Sequence, residues 1–100
     1  MDDITRYTLK VSFFATLRQI VGAKHVEFSL PVGSTVQELL DEMLNTYPAL
    51  RHELIDENGQ LYQHVNLFVN SRTALFLEQG MNTVLPENAV VGLFPAVGGG

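Results

Sequence analysis

The sequence predicts an α+β domain in which one amphipathic helix covers one face of a mixed sheet of about five strands. Three observations lead there. Two alternating apolar–polar runs stand side by side near the start of the chain, one capped run with helical periodicity follows, and three further strand-like stretches come after it. At 100 residues the chain has the length of one domain. A domain of that size buries roughly two thirds of its unfolded surface, enough for one modest core.

Each element has its own signal. Thr8 to Ala15 alternates, with Leu9, Val11, Phe13 and Ala15 opposed to Lys10, Ser12 and Phe14. Val21-Gly22-Ala23 marks a turn, and His25 to Leu30 alternates again, with Val26, Phe28 and Leu30 on one side. The short link between the two runs predicts an antiparallel hairpin. Pro31-Val32-Gly33-Ser34 breaks the pattern. Thr35 is then placed as an N-cap, and Glu38 three residues on completes a capping box. Val36, Leu39, Leu40, Met43, Leu44 and Tyr47 form one apolar stripe at helical spacing. Pro48 disfavours helical geometry at Tyr47, so the helix should stop near Thr46. The stripe is core, because a one-helix domain must bury that face. Ala49, Leu50, Leu54 and Ile55 fit a short helical turn, and Asp56-Glu57-Asn58-Gly59 an exposed one. Val65 to Asn70 is a third strand, Thr73 to Leu77 a short fourth and Ala89 to Phe94 the last. The order strand, strand, helix, strand, strand, strand is β-grasp-like. A single domain is expected over 1–97, followed by a flexible glycine tail at 98–100.

Composition excludes several functions. Six basic and 11 acidic residues give a net charge of −5, which argues against a general nucleic-acid binder. Cysteine is absent, so disulfides, thiolate metal sites and a thiol nucleophile are excluded, and a reducing cytoplasm suits the chain. No apolar run reaches the roughly 18 residues of a membrane span, and no leader peptide is visible at the start. No P-loop or dinucleotide fingerprint occurs. His25, His52 and His64 are too widely spaced for a helical metal site and read as surface residues. The clusters Glu38/Asp41/Glu42 and Asp56/Glu57 read as solvated faces. Nothing assembles a nucleophile, a base and an orienting group, so the chain is not expected to be an enzyme.

The unusual feature is the end. Val97 is followed by Gly98, Gly99 and Gly100. Glycine loses the most entropy when ordered, so such a tail does little for a core. It suits a terminus that threads a narrow channel, and it carries one reactive group, the Gly100 carboxylate. A bare carboxylate is a poor electrophile. Converted by ATP to an acyl adenylate, it becomes open to attack by sulfur or an amine.

Four segments in order resemble the MoaD/ThiS family of ubiquitin-like sulfur carriers, the MoaD branch more than the ThiS branch. They are VSFFATLRQIVG (Val11 to Gly22), LPVGSTVQELLDEM (Leu30 to Met43), VNLFVNSR (Val65 to Arg72) and VGLFPAVGGG (Val91 to Gly100). The resemblance covers nearly all of the chain from Thr8 onward. It implies a β-grasp sheet in the order second-first-fifth-third-fourth, with Gly99-Gly100 as the family's diglycine. It also implies a ubiquitin-activating-type enzyme that uses ATP to adenylate Gly100, and a sulfurtransferase that turns it into a thiocarboxylate. The chain itself would bind no cofactor. In the MoaD branch the acceptor is the large subunit of molybdopterin synthase, which builds the dithiolene of the molybdenum cofactor. Gly98 stands where the family usually has Ala or Ser, and Pro95-Ala96 where Pro-Pro is commoner. The stretch from Arg51 to Gln63, with Phe76 to Gly80, is longer than in compact MoaD proteins and more like the carriers of cysteine synthesis and the small archaeal protein modifiers.

In the implied sheet order, Leu9, Val11, Phe13, Val65, Leu67, Val69, Val91 and Leu93 face the helix. Phe14 on the first strand, Phe68 on the third and Phe94 on the fifth then form one outward patch, and such patches mark contact surfaces. Pro95 and Val97 extend the expected partner-binding set toward the tail, with Gly98 giving access to Gly99 and Gly100. The leading expectation is a sulfur carrier, most specifically the small subunit of molybdopterin synthase. The alternatives are a carrier for cysteine, another thio-metabolite or tRNA thiolation, a protein modifier joined to lysine amines, and a ubiquitin-like interaction module with an inert tail.

Overall fold

The computed structural model describes residues 5–62, 65–73 and 77–95. Strand β1 (Arg6–Phe13) and strand β2 (His25–Pro31) form the expected antiparallel hairpin, with Leu9 opposite Phe28 and Val11 opposite Val26. Helix α2 (Val36–Thr46) follows, then a 3-10 turn at Pro48–Leu50 and the single-turn helix α3 (Arg51–Leu54). Strands β3 (Val65–Val69), β4 (Arg72–Thr73) and β5 (Val91–Pro95) complete the sheet. Its order is β2-β1-β5-β3-β4, the second-first-fifth-third-fourth order that the sequence resemblance implies. β5 lies in the middle, parallel to β1 and antiparallel to β3. The fold is the β-grasp, ubiquitin-like arrangement.

The capping box forms as the sequence predicts. Glu38 N–H donates to Thr35 Oγ1 at 3.2 Å, and Thr35 N–H donates to Glu38 Oε1 at 2.9 Å. Val36, Leu39, Leu40, Met43 and Leu44 are all buried, and Tyr47 is the C-terminal cap just before Pro48. The eight strand residues assigned to the helix-facing side, from Leu9 to Leu93, are buried too. At roughly 1.5–3 kcal/mol for each fully buried aliphatic side chain, this one layer is the main favourable term in the fold. Asp56 organises the turn after α3, its Oδ1 accepting from the N–H groups of Asn58 and Gln60, while Gly59 takes a left-handed φ of 79°.

Four details differ from the sequence reading. Helix α1 (Thr16–Val21) fills what reads in sequence as the end of a strand and a turn. β1 stops at Phe13 because Ala15 has a φ of 54°, which breaks the extended run, so Ala15 is exposed and not part of the inward set. β5 begins at Val91 rather than Ala89, although Ala89 is buried. The fourth strand is the pair Arg72–Thr73. The expected strand from Thr73 to Leu77 falls partly on residues outside the described ones, as do His64 and the tail from Ala96 to Gly100.

Candidate functional site

Sheet topology places the root of the tail. Because β5 runs parallel to β1, the chain leaves β5 at the end of the sheet where β1 turns into α1. Phe14 lies just past β1 rather than on it, yet its N–H donates to Leu93 O at 3.1 Å, so the parallel pairing runs one step beyond the strand. Alternation from buried Phe13 puts the Phe14 ring on the outer face. Alternation does the same for Phe68 on β3, between buried Leu67 and Val69, and for Phe94 on β5, after buried Leu93.

The three rings meet. Phe14 and Phe94 are edge-on with centroids 5.9 Å apart, Phe68 and Phe94 are 5.9 Å apart, and Phe14 and Phe68 are 6.4 Å apart. These separations lie within the range of attractive aromatic pairs. Phe14 remains 36% exposed, while Phe68 and Phe94 are half-buried. Pro95 follows directly and pairs with Val65. The aromatic part of the sequence-predicted partner set therefore gathers at one place. Val97, Gly98, Gly99 and Gly100 lie outside the described residues.

Two residues of this site escape the sequence reading. Gly92 sits on the outer face opposite Phe68. A Cβ there would collide with the tip of the Phe68 ring, coming within 2.6 Å of one Cε carbon and closer still to Cζ. The missing side chain is what lets Phe68 lie across β5 toward Phe14. Arg18 on α1 donates from Nε to Phe13 O at 3.1 Å, and its guanidinium carbon stands 5.9 Å from the Phe14 ring centroid. It lies within the FFATLR segment, so the motif contained the residue but not its position. The sequence signal for Gly92 was a glycine alternating with large residues in a strand, which marks a close approach.

The two described histidines show no ligand geometry. His25 Nδ1 shares a hydrogen bond with Ser12 Oγ at 2.9 Å on the sheet surface, and His52 is exposed. Among the described residues no group of three His, Cys, Asp or Glu side chains is placed to hold a metal ion. No described helix is long and apolar enough to cross a membrane. Burial, with Glu87 nearby, raises the Tyr7 phenol above its ordinary pKa. It stays protonated at neutral pH and donates to Leu85 O at 3.3 Å, on the stretch of β1 far from Phe14.

Comparison with known proteins agrees with this geometry. The ThiS family model matches residues 11–100. Small archaeal modifier protein 3 of Haloferax volcanii is 37% identical over 92 residues, covering 92% of this chain and 98% of that protein. The crystal structure of SAMP1 from Haloferax volcanii superposes with a TM-score of 0.82 at 27% identity, covering 93% of this chain and 99% of that one. The molybdopterin synthase sulfur carrier subunit of Arabidopsis thaliana is 37% identical over 49 residues, which is 49% of this chain and 51% of that protein.

Proposed function

Because this chain belongs to the ThiS family, we propose that it is a sulfur carrier whose reactive atom is the Gly100 carbonyl carbon. Members of the family are small ubiquitin-like carriers and modifiers, not catalysts. The single observation that carries the reading is an aromatic surface at the root of a Val-Gly-Gly-Gly end, at Phe14, Phe68 and Phe94. A partner gripping that surface holds the tail by its base and directs Gly100 into its own active site.

The chemistry follows from the leaving group. A Gly100 carboxylate oxygen attacks the α-phosphorus of ATP on a ubiquitin-activating-type enzyme, and pyrophosphate departs. Sulfide then attacks the acyl carbon, AMP departs, and a thiocarboxylate remains; where the nucleophile is the persulfide of a sulfurtransferase, the acyl disulfide first formed is cleaved by a second thiol, which leaves joined to the sulfurtransferase as a disulfide. ATP belongs to the enzyme, and the carrier supplies docking and an unhindered end. The acceptor we propose is the large subunit of molybdopterin synthase, a role supported by the half-length similarity to that enzyme's carrier subunit. A second reading has its own support: the likeness to small archaeal modifier protein 3 spans 92 residues. In that reading a lysine amine attacks the same acyl carbon and an isopeptide bond forms.

The test is an intact mass after incubation with ATP, the adenylating enzyme and a sulfide source. The expected result is the increment for one oxygen replaced by sulfur, mapped to the C-terminal peptide. No increment with a demonstrably active enzyme would refute the carrier reading. Glycine remnants on lysines of cellular proteins, absent when the gene is deleted, would establish the modifier reading.

A further inference from the structure

Strand β2 stands at one edge of the sheet, and among the described strands its neighbour is β1. At the two ends of that hairpin Phe13 N–H donates to Lys24 O at 2.8 Å and Val32 N–H donates to Thr5 O at 2.9 Å. Backbone bonding alternates along an antiparallel pair. The register therefore turns the N–H and C=O groups of Val26, Phe28 and Leu30 toward β1, and those of His25, Glu27 and Ser29 away from it. Ser29 O is already covered, accepting from Arg6 Nη2 at 2.8 Å, and Pro31 has no N–H to offer. The open part of the edge is thus His25 and Glu27, whose outward backbone groups have no partner among the described residues.

An open edge is a template for another strand, and this one is its own complement. Set antiparallel against a second copy, His25-Val26-Glu27 puts His25 opposite Glu27, Val26 opposite Val26 and Glu27 opposite His25. Other two-fold registers fail. They put Glu27 opposite Glu27, which repels, or need Ser29 O, which Arg6 holds, or carry Glu27 past the start of the second β2. The side chains are ready for the favoured register. His25 Nδ1 shares its hydrogen bond with Ser12 Oγ, which leaves Nε2 for a further partner, and the Glu27 carboxylate has none among the described residues. Val26 between them is half-buried at the rim of the core.

We propose that two copies of this chain pair through β2 about a two-fold axis at Val26, joining their sheets edge to edge. Four backbone bonds form, two at each pairing of His25 with Glu27. With Ser12 Oγ donating to Nδ1, His25 Nε2–H donates to the Glu27 carboxylate of the second copy, a charge-assisted bond made twice. The two Val26 side chains meet on the helix side of the joined sheet. The aromatic cluster, gathered about β5, stays uncovered in both copies. The inference therefore goes beyond the carrier reading and does not rest on it.

The contact is smaller than a standard interface and the association is weak, so sedimentation equilibrium of the full chain is measured from about 10 µM to about 1 mM. The expected result is a monomer–dimer equilibrium. Glu27→Pro removes an N–H that β1 does not use, so the hairpin should survive while the dissociation constant rises roughly tenfold or more. Glu27→Lys should raise it similarly by facing His25 with a cation, and His25→Glu/Glu27→Lys should return it to within about threefold of wild type. The chain has no cysteine, so single cysteines report the register. Directly opposed residues of a non-bonded pair lie about 4.5 Å apart between Cα atoms, within disulfide reach. Val26→Cys should therefore cross-link under mild oxidation and Ser29→Cys should not. A wild type that stays monomeric throughout overturns the inference and leaves the edge to a strand of another protein. A dimer unmoved by Glu27→Pro, with circular dichroism confirming the fold, overturns it too. So does cross-linking at Ser29→Cys as ready as at Val26→Cys.

Discussion

Gly92 shows how one absent side chain can shape a surface. The Phe68 ring lies where a Cβ on Gly92 would be, so the two residues are a matched pair on neighbouring strands. Gly92→Ala must displace the ring. Because the obstructing atoms are the far end of a rotatable side chain, the cost is modest, about 1 kcal/mol. Part of it is the lost packing of Phe68 against Phe14 and Phe94, aromatic pairs worth about 0.5–1.5 kcal/mol. The expected result is a lowered melting temperature for Gly92→Ala that is largely recovered in Gly92→Ala/Phe68→Leu, where the shorter side chain clears the methyl group. Strict additivity of the two substitutions in a double-mutant cycle would show that they do not touch in solution.

Helix α2 is the element whose boundaries were most fully legible, and its cap is the place to test it. Thr35→Ala removes the Oγ1 acceptor for the Glu38 N–H and should cost about 1 kcal/mol. For a domain of this size that corresponds to roughly 4–8 °C in melting temperature. Thr35→Ser keeps the hydroxyl and should fall by far less. Equal losses in the two variants would place the effect in the threonine methyl instead. The same local logic read the hairpin, the stop before Pro48 and the Asp56 turn, because each is specified by residues within a few positions of one another. It missed α1, where Leu17, Ile20 and Val21 offer too short a run to show a helical period and the strand before them ends on an unusual Ala15 φ. It also missed that β1 ends at Phe13, since alternation continues through Ala15 in the sequence although the backbone does not. Gly92 against Phe68 is a contact between strands that only the sheet register brings together, and Arg18 comes beside Phe14 only because α1 starts directly after it.

At the scale of the whole molecule, the proposed function assigns docking and reaction to different parts of one chain. The sheet face offers Phe14, Phe68, Phe94 and Arg18, and the carboxylate proposed to react belongs to a sequence with no side chain after Val97. If that division holds, removing Gly99 and Gly100 separates the two roles. The truncated protein should show no adenylation at any concentration, yet it should keep the fold and compete with the full chain for the activating enzyme. Its inhibition constant should lie within a factor of about three of the full chain's KM, because the docking face is untouched. A truncated protein that fails to inhibit would mean that the tail supplies most of the binding and the aromatic face little. A truncated protein that still sustains the cellular role of the full chain would mean the opposite error, that the glycines are inert and the domain acts by binding alone. Competition kinetics and genetic complementation together distinguish these outcomes, because each disturbs a different half of the division between a face that binds and an end that reacts.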